Sequence, residues 1–162
     1  MVLNTFAIHD RTLPDPAATA AAAGKLAELC QPGDVICLFG DLGAGKTTFA
    51  RGFLRALGVT DEIPSPTFNL LLTYDTAAGT IWHFDLYRLN EPNEIIELGF
   101  EDAMADGISL IEWPDRLGNW LPERRIEIYL AETKVDTCRQ LHLRAVGAGF
   151  ERWQAPLSFA LS

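Results

Sequence analysis

Val35-Ile36-Cys37-Leu38-Phe39 is apolar at every position, and a short run with no polar face predicts a central strand covered on both sides. A glycine-rich loop follows at once, and then Phe49, Phe53, Leu54 and Leu57 recur at helical spacing, with Gly58 placed to end that helix in a left-handed cap. Upstream, Ala17 to Ala27 is low in complexity, but Asp15 can cap, Pro16 suits a first helical position, and Leu26, Leu29 and Cys30 offer an apolar face. The pattern predicts a first helix ending near Gly33. Downstream, Phe68 to Tyr74 and Thr80 to Tyr87 read as strands joined by Asp75 to Gly79, an antiparallel hairpin. Asn93 to Leu98 and Phe100 to Ala105 read as short helical pieces, and Ile108-Ser109-Leu110-Ile111 as an apolar strand ending at Glu112, before Pro114 interrupts the chain. Arg125 to Leu130 and Arg139 to Val146 complete the strands, and a short covering helix is expected around Phe150 to Leu161. Early alternation of helix and strand followed by hairpins predicts an α/β fold with a mixed, mainly parallel central sheet flanked by helices.

In Thr80 to Tyr87 the period of two puts Trp82, Phe84 and Leu86 on one face and His83, Asp85 and Tyr87 on the other, with Arg88 next. The first face is core. An imidazole, a carboxylate and a phenol in line are costly to cluster unless hydrogen-bonded or functional, and the bland alternative is an exposed hairpin face with a satisfied polar ladder.

With 162 residues and no repeat or linker-like stretch, the chain reads as one domain over residues 1–162. Thirteen Lys and Arg against twenty-two Asp and Glu give a net charge of −9, a field that disfavours direct binding of RNA or DNA. Cys30, Cys37 and Cys138 form no closely spaced pair, so zinc and disulfide scaffolds are poor readings. Met1 to Asp10 lacks the features of a secretory signal, and no apolar run reaches the ~20 residues that span a bilayer. A cytoplasmic protein with reduced thiols and no membrane contact is expected.

Gly40-Asp41-Leu42-Gly43-Ala44-Gly45-Lys46-Thr47 satisfies G-x-x-x-x-G-K-[ST] in full. Glycines let successive N–H groups turn inward around a phosphate, Lys46 reaches the β and γ oxygens, and Thr47 offers a hydroxyl to Mg²⁺. The loop signifies a nucleoside triphosphate but not a reaction. Magnesium needs a further carboxylate at a strand end, and two are available, Asp85 and Glu112, the second following the better buried-strand pattern. Ser65-Pro66-Thr67-Phe68 lies where many triphosphate hydrolases keep a γ-phosphate-sensing loop, or is a proline-stiffened connection.

Together, GDLGAGKTT (Gly40 to Thr48), SPTF (Ser65 to Phe68), HFDLYR (His83 to Arg88) and IEWPD (Ile111 to Asp115) resemble the bacterial TsaE family, formerly YjeE. These are small ATPases that act with TsaB and TsaD in threonylcarbamoyladenosine modification of tRNA. The resemblance implies a single P-loop α/β domain, ATP and Mg²⁺ as cofactors, and TsaB and TsaD as partners that hold the tRNA, the chain itself being a monomer or weak oligomer. It implies that Leu42, Gly43, Ala44, Gly45, Lys46, Thr47 and Thr48 wrap the phosphates, with Pro16 and Asp136 on the adenine side. Thr47 and Glu112 become metal ligands, Asp85 a second carboxylate for the metal or the attacking water, and Lys46, Asp85 and Glu112 the catalytic set. Ser65, Thr67, His83, Tyr87, Arg88 and Trp113 fall on switch or partner-docking positions.

Three rivals remain open. Thr133-Lys134-Val135-Asp136 matches the base-reading [NT]-K-x-D of GTPases. A small-molecule kinase would use the same loop, though no arginine-rich lid is evident. A nucleotide-sensing adaptor would need no turnover. Since no arginine finger lies near the loop, turnover is expected to be slow until Arg88 or a partner supplies that charge.

Overall fold

A seven-stranded sheet of order β1-β7-β6-β2-β5-β4-β3 carries the site. The computed structural model describes residues 5–66, 68–147 and 153, with side chains from Asp10 onward. Its strands are β1 (Thr5–Leu13), β2 (Val35–Phe39), β3 (Leu71–Thr76), β4 (Gly79–Asp85), β5 (Ile108–Glu112), β6 (Arg125–Glu132) and β7 (Arg139–Val146). The helices are α1 (Pro16–Leu29), α2 (Lys46–Ala56) and α3 (Phe100–Asp106), with 3₁₀ segments at Pro92–Leu98 and Pro114–Trp120. Because β6, β2, β5 and β4 pair in parallel while β7 and β3 pair antiparallel to their neighbours, five of the seven strands run one way. The expected mixed, mainly parallel α/β sheet is what forms.

The fully apolar run of β2 is explained by its place at the centre, where its alternate residues enter two different cores. Ile36 and Leu38 meet Phe49, Phe53 and Leu54 of α2, with α1 beyond. Val35 and Cys37 join Phe84, Leu86 and Ile111 beneath Ile95, Phe100 and Leu117 of α3 and the 3₁₀ segments. Burial on this second side pushes the Cys37 thiol far up, which keeps it protonated and unreactive.

Several boundaries differ from the sequence expectation. β1 was not foreseen: a register shift between Ala7 and His9 breaks the two-residue alternation that would have marked it. α1 stops at Leu29, ahead of Pro32 and Gly33. The hairpin turn is only Ala77-Ala78, because the Thr76 hydroxyl accepts from Ala78 N–H and donates to Gly79 O, extending both strands inward. Residues 68–70 form a turn instead of the start of β3, with Leu70 at φ 62°. The face carrying His83 and Asp85 is not exposed, since β4 is an inner strand covered on both sides and leaves these residues 1% and 5% accessible. The helix expected at Phe150 to Leu161 lies outside the described residues, apart from Trp153, which is buried among the core residues that α1 and α2 cover.

α1 and α2 cross at Gly52, where an added Cβ would lie 2.6 Å from both the Cα and the carbonyl oxygen of Ala20. Backbone cannot yield as a side-chain tip would, so Gly52→Ala should part the helices despite alanine's better helix propensity. The expected cost is about 2–3 kcal/mol, or roughly 5–10 °C in the thermal unfolding midpoint. A variant that melts with the wild type would remove the close approach as a determinant of this fold.

Candidate functional site

β2, β4 and β5 end at the same edge of the sheet, where ligands collect in open α/β folds. The loop Gly40–Thr47 leaves the end of β2 and enters α2. Gly43 and Gly45 hold φ 81° and 106°, in the left-handed region open to glycine. Gly40 is required sterically, because a Cβ there would come 2.6 Å from Leu130 O. Gly45 caps α2 without a side-chain hydrogen bond, so the first-turn N–H groups, which have no acceptor within a helix, are directed at the loop's concavity. Such a terminus attracts anions.

Lys46 opens α2. Its Nζ donates to Gly40 O and, at 3.0 Å, to Asp41 O, and lies 4.0 Å from the centroid of the Trp113 ring. Burial pushes the ammonium below the usual lysine value, and the carboxylates of Glu112, Asp85, Asp41 and Asp115 oppose that shift.

Asp85 and Glu112 are direct register partners on parallel β4 and β5. Glu112 is 2% accessible. One of its oxygens accepts from His83 Nε2 at 2.7 Å, the buried His83 Nδ1 has no hydrogen-bond partner among the described residues, and Asp85 accepts from Tyr87 N–H at 3.1 Å. The contrast with Glu127, the buried carboxylate on the opposite face of the sheet, is instructive. Burial raises the Glu127 carboxyl, but hydrogen bonds from Arg144 and Arg125 outweigh it and hold the carboxyl below its usual range. Among the described residues no arginine lines the cavity beside Asp85 and Glu112. The Lys46 ammonium lies near both carboxylates and His83 bonds Glu112, and two adjacent buried carboxylates form a place where an added cation is favoured.

The cavity of about 220 Å³ is lined by Leu42, Gly43, Gly45, Lys46, Thr47, Thr48, Ser65, Asp85, Glu112 and Trp113. It therefore joins the phosphate loop, one end of the Ser65–Phe68 connection, both carboxylates and the indole. Ala44 is packed inside the loop at 1% accessibility. Tyr87 stacks obliquely on Trp113 at 5.0 Å, and Arg88 lies over Phe68 at 4.5 Å, outside the cavity lining. Thr67 lies outside the described residues. Pro16 starts α1, and the segment just before it is fastened to the turn containing Asp136 by a hydrogen bond from Thr137 Oγ1 to Pro14 O at 3.1 Å. Thr133 of the T-K-x-D run spends its hydroxyl on Val135 within that turn.

Among the described residues no group of three or more His, Cys, Asp or Glu side chains is arranged to hold a metal ion. A cation taken by these carboxylates must then draw its other ligands from a hydroxyl, phosphate and water, which is the habit of magnesium. Sequence reasoning missed Arg139, whose guanidinium reaches Gly43 O and Ala44 O at 3.1 Å each. Nothing in its local pattern distinguishes it from any arginine at a strand start. Among the described residues no helix is long and apolar enough to cross a membrane.

A family model described as threonylcarbamoyl adenosine biosynthesis protein TsaE matches residues 13–141. The tRNA threonylcarbamoyladenosine biosynthesis protein TsaE of Rickettsia felis is 48% identical over 113 residues, covering 69% of this chain and 66%, just under two thirds, of its own length. Its namesake in Bacillus subtilis is 37% identical over 138 residues, 85% of each chain. In shape, the chain is similar to the crystal structure of Bacillus subtilis YdiB, with a TM-score of 0.80 at 30% identity over 100% of this chain and 99% of that one.

Proposed function

Because the chain belongs to the TsaE family of threonylcarbamoyl adenosine biosynthesis proteins, we propose that it is a Mg²⁺-dependent ATPase that acts on a TsaB–TsaD pair in tRNA threonylcarbamoyladenosine modification. The observation that carries the reading is the phosphate loop between a buried strand and a helix N-terminus, opening on two adjacent buried carboxylates. Triphosphate and divalent cation each find their complement there: N–H groups and an ammonium for one, Thr47, Asp85 and Glu112 for the other.

Bound Mg²⁺, which Thr47, Asp85 and Glu112 would hold, would supply charge neutralisation to the triphosphate. The chain's own residues do the rest. Backbone N–H groups of the loop donate to the phosphates, and Lys46 exchanges Gly40 O and Asp41 O for phosphate oxygens, so its ammonium follows the charge that develops on them. His83, donating to Glu112, fixes that carboxylate's orientation. Asp85 orients water, and Trp113, stacked on Tyr87, walls the cavity. With no arginine among the described lining residues, intrinsic turnover is slow, and a partner group supplies further positive charge. The acidic chain leaves tRNA to the partner complex.

The test is Mg-ATP hydrolysis by the purified protein, with GTP in parallel, before and after adding TsaB and TsaD from the same source. Weak ATP turnover that rises with the pair is the expected result. Turnover of GTP alone would move the assignment to the GTPase reading, and indifference to an active pair would discard the assigned role.

A further inference from the structure

Arg139 opens β7 opposite Glu132 of β6, and its half-buried side chain lies between two loops. On one side Nε donates to Ala44 O and Nη2 to Gly43 O, both at 3.1 Å. On the other, Nη1 donates to Asp136 O at 2.6 Å and Cys138 O at 2.9 Å. Its stem runs beside Gly45, where an added Cβ would be 3.8 Å from Arg139 Cγ. The turn it grips is already braced: Cys138 N–H donates to Val135 O at 3.0 Å, and Thr137 ties the turn to Pro14 ahead of α1.

A loop that aims its N–H groups at a phosphate must turn carbonyls outward, and those carbonyls need donors. One planar guanidinium meets two carbonyls of the loop and two of the turn at once, four bonds that the three donors of a lysine ammonium cannot all supply. Arg139 is not among the described residues that line the cavity, so it acts on the loop and not on the ligand directly. We propose that Arg139 is a positioning residue that preorganises the phosphate loop, anchoring it to the braced turn at 133–138 so that the loop is ordered before the triphosphate arrives. The assignment rests on the nucleotide reading of the loop given above. Ordering a loop in advance removes that entropic cost from binding, so the effect belongs in affinity far more than in the chemical step.

Calorimetric binding of Mg-ATP and of inorganic tripolyphosphate, with steady-state hydrolysis, on wild type, Arg139→Gln and Arg139→Lys tests this. For Arg139→Gln, Kd for both ligands and KM for ATP should rise about tenfold while kcat stays within about threefold. Arg139→Lys keeps the charge and should still lose about threefold or more in affinity. It also carries the test if the glutamine variant does not fold. Wild-type affinity in either folded variant overturns the proposal, as does weakening for ATP alone, which would make Arg139 a base contact. A fall in kcat with unchanged KM overturns it too. Failure of the wild type to bind either ligand overturns the nucleotide reading itself, which separates the two.

Discussion

Replacing Lys46 by alanine is expected to weaken ATP binding by about a hundredfold and bring hydrolysis to background. In the proposed complex the ammonium is the cation nearest the phosphates, and a charge-assisted hydrogen bond contributes about 1.5–3 kcal/mol. Each 1.36 kcal/mol is a factor of ten, so two such bonds to phosphate account for the loss. A second effect comes from the free protein: the Lys46 ammonium lies near Asp85 and Glu112, and its removal takes a positive charge away from two adjacent buried carboxylates. Equilibrium dialysis with labelled ATP checks the first effect, and denaturant melts with and without Mg²⁺ check the second. Mg²⁺ should stabilise Lys46→Ala more than the wild type, because the ion replaces the lost positive charge. Unchanged affinity would remove Lys46 from the binding machinery.

Replacing Glu112 by glutamine is expected to separate binding from turnover. The amide keeps the shape and an oxygen able to accept from His83 Nε2, but loses the charge that would draw the proposed metal. Hydrolysis at saturating ATP should fall by about 10²–10³, while Kd for ATP without magnesium stays within a few fold. Raising the magnesium concentration should restore part of the rate if Glu112 acts through the ion. A variant with wild-type kcat and wild-type magnesium dependence would transfer the metal role to Asp85.

How much of this was legible in the residues follows the physics of each signal. The loop and α2 were readable because their constraints are local: glycine where φ is positive, lysine at a helix start, apolar residues at 3.6 spacing. Asp85 and Glu112 were readable as strand-end carboxylates, but their direct opposition depends on the parallel pairing of β4 with β5, two strands that adjoin only after the chain passes through α3. Arg139 was invisible for the same reason, lying 95 residues from Ala44, whose carbonyl it holds. β1 was hidden by its irregular register. The burial of His83 was not legible, because alternation in one strand does not reveal how many layers cover it.

Trp113 carries a cost that bears on how this chain can change. Trp113 and Leu70 are the non-glycine residues with positive φ among those described, and a bulky side chain in that conformation forfeits about 1–2 kcal/mol. The indole offsets this through Lys46 and Tyr87, contacts that belong to the site. Laboratory evolution for heat resistance would therefore be drawn to glycine or asparagine at position 113, relaxing the backbone, and would discard the ring that walls the cavity. Selection for robustness and selection for function pull against each other at this residue, so a hardened descendant of this chain is better sought away from the site.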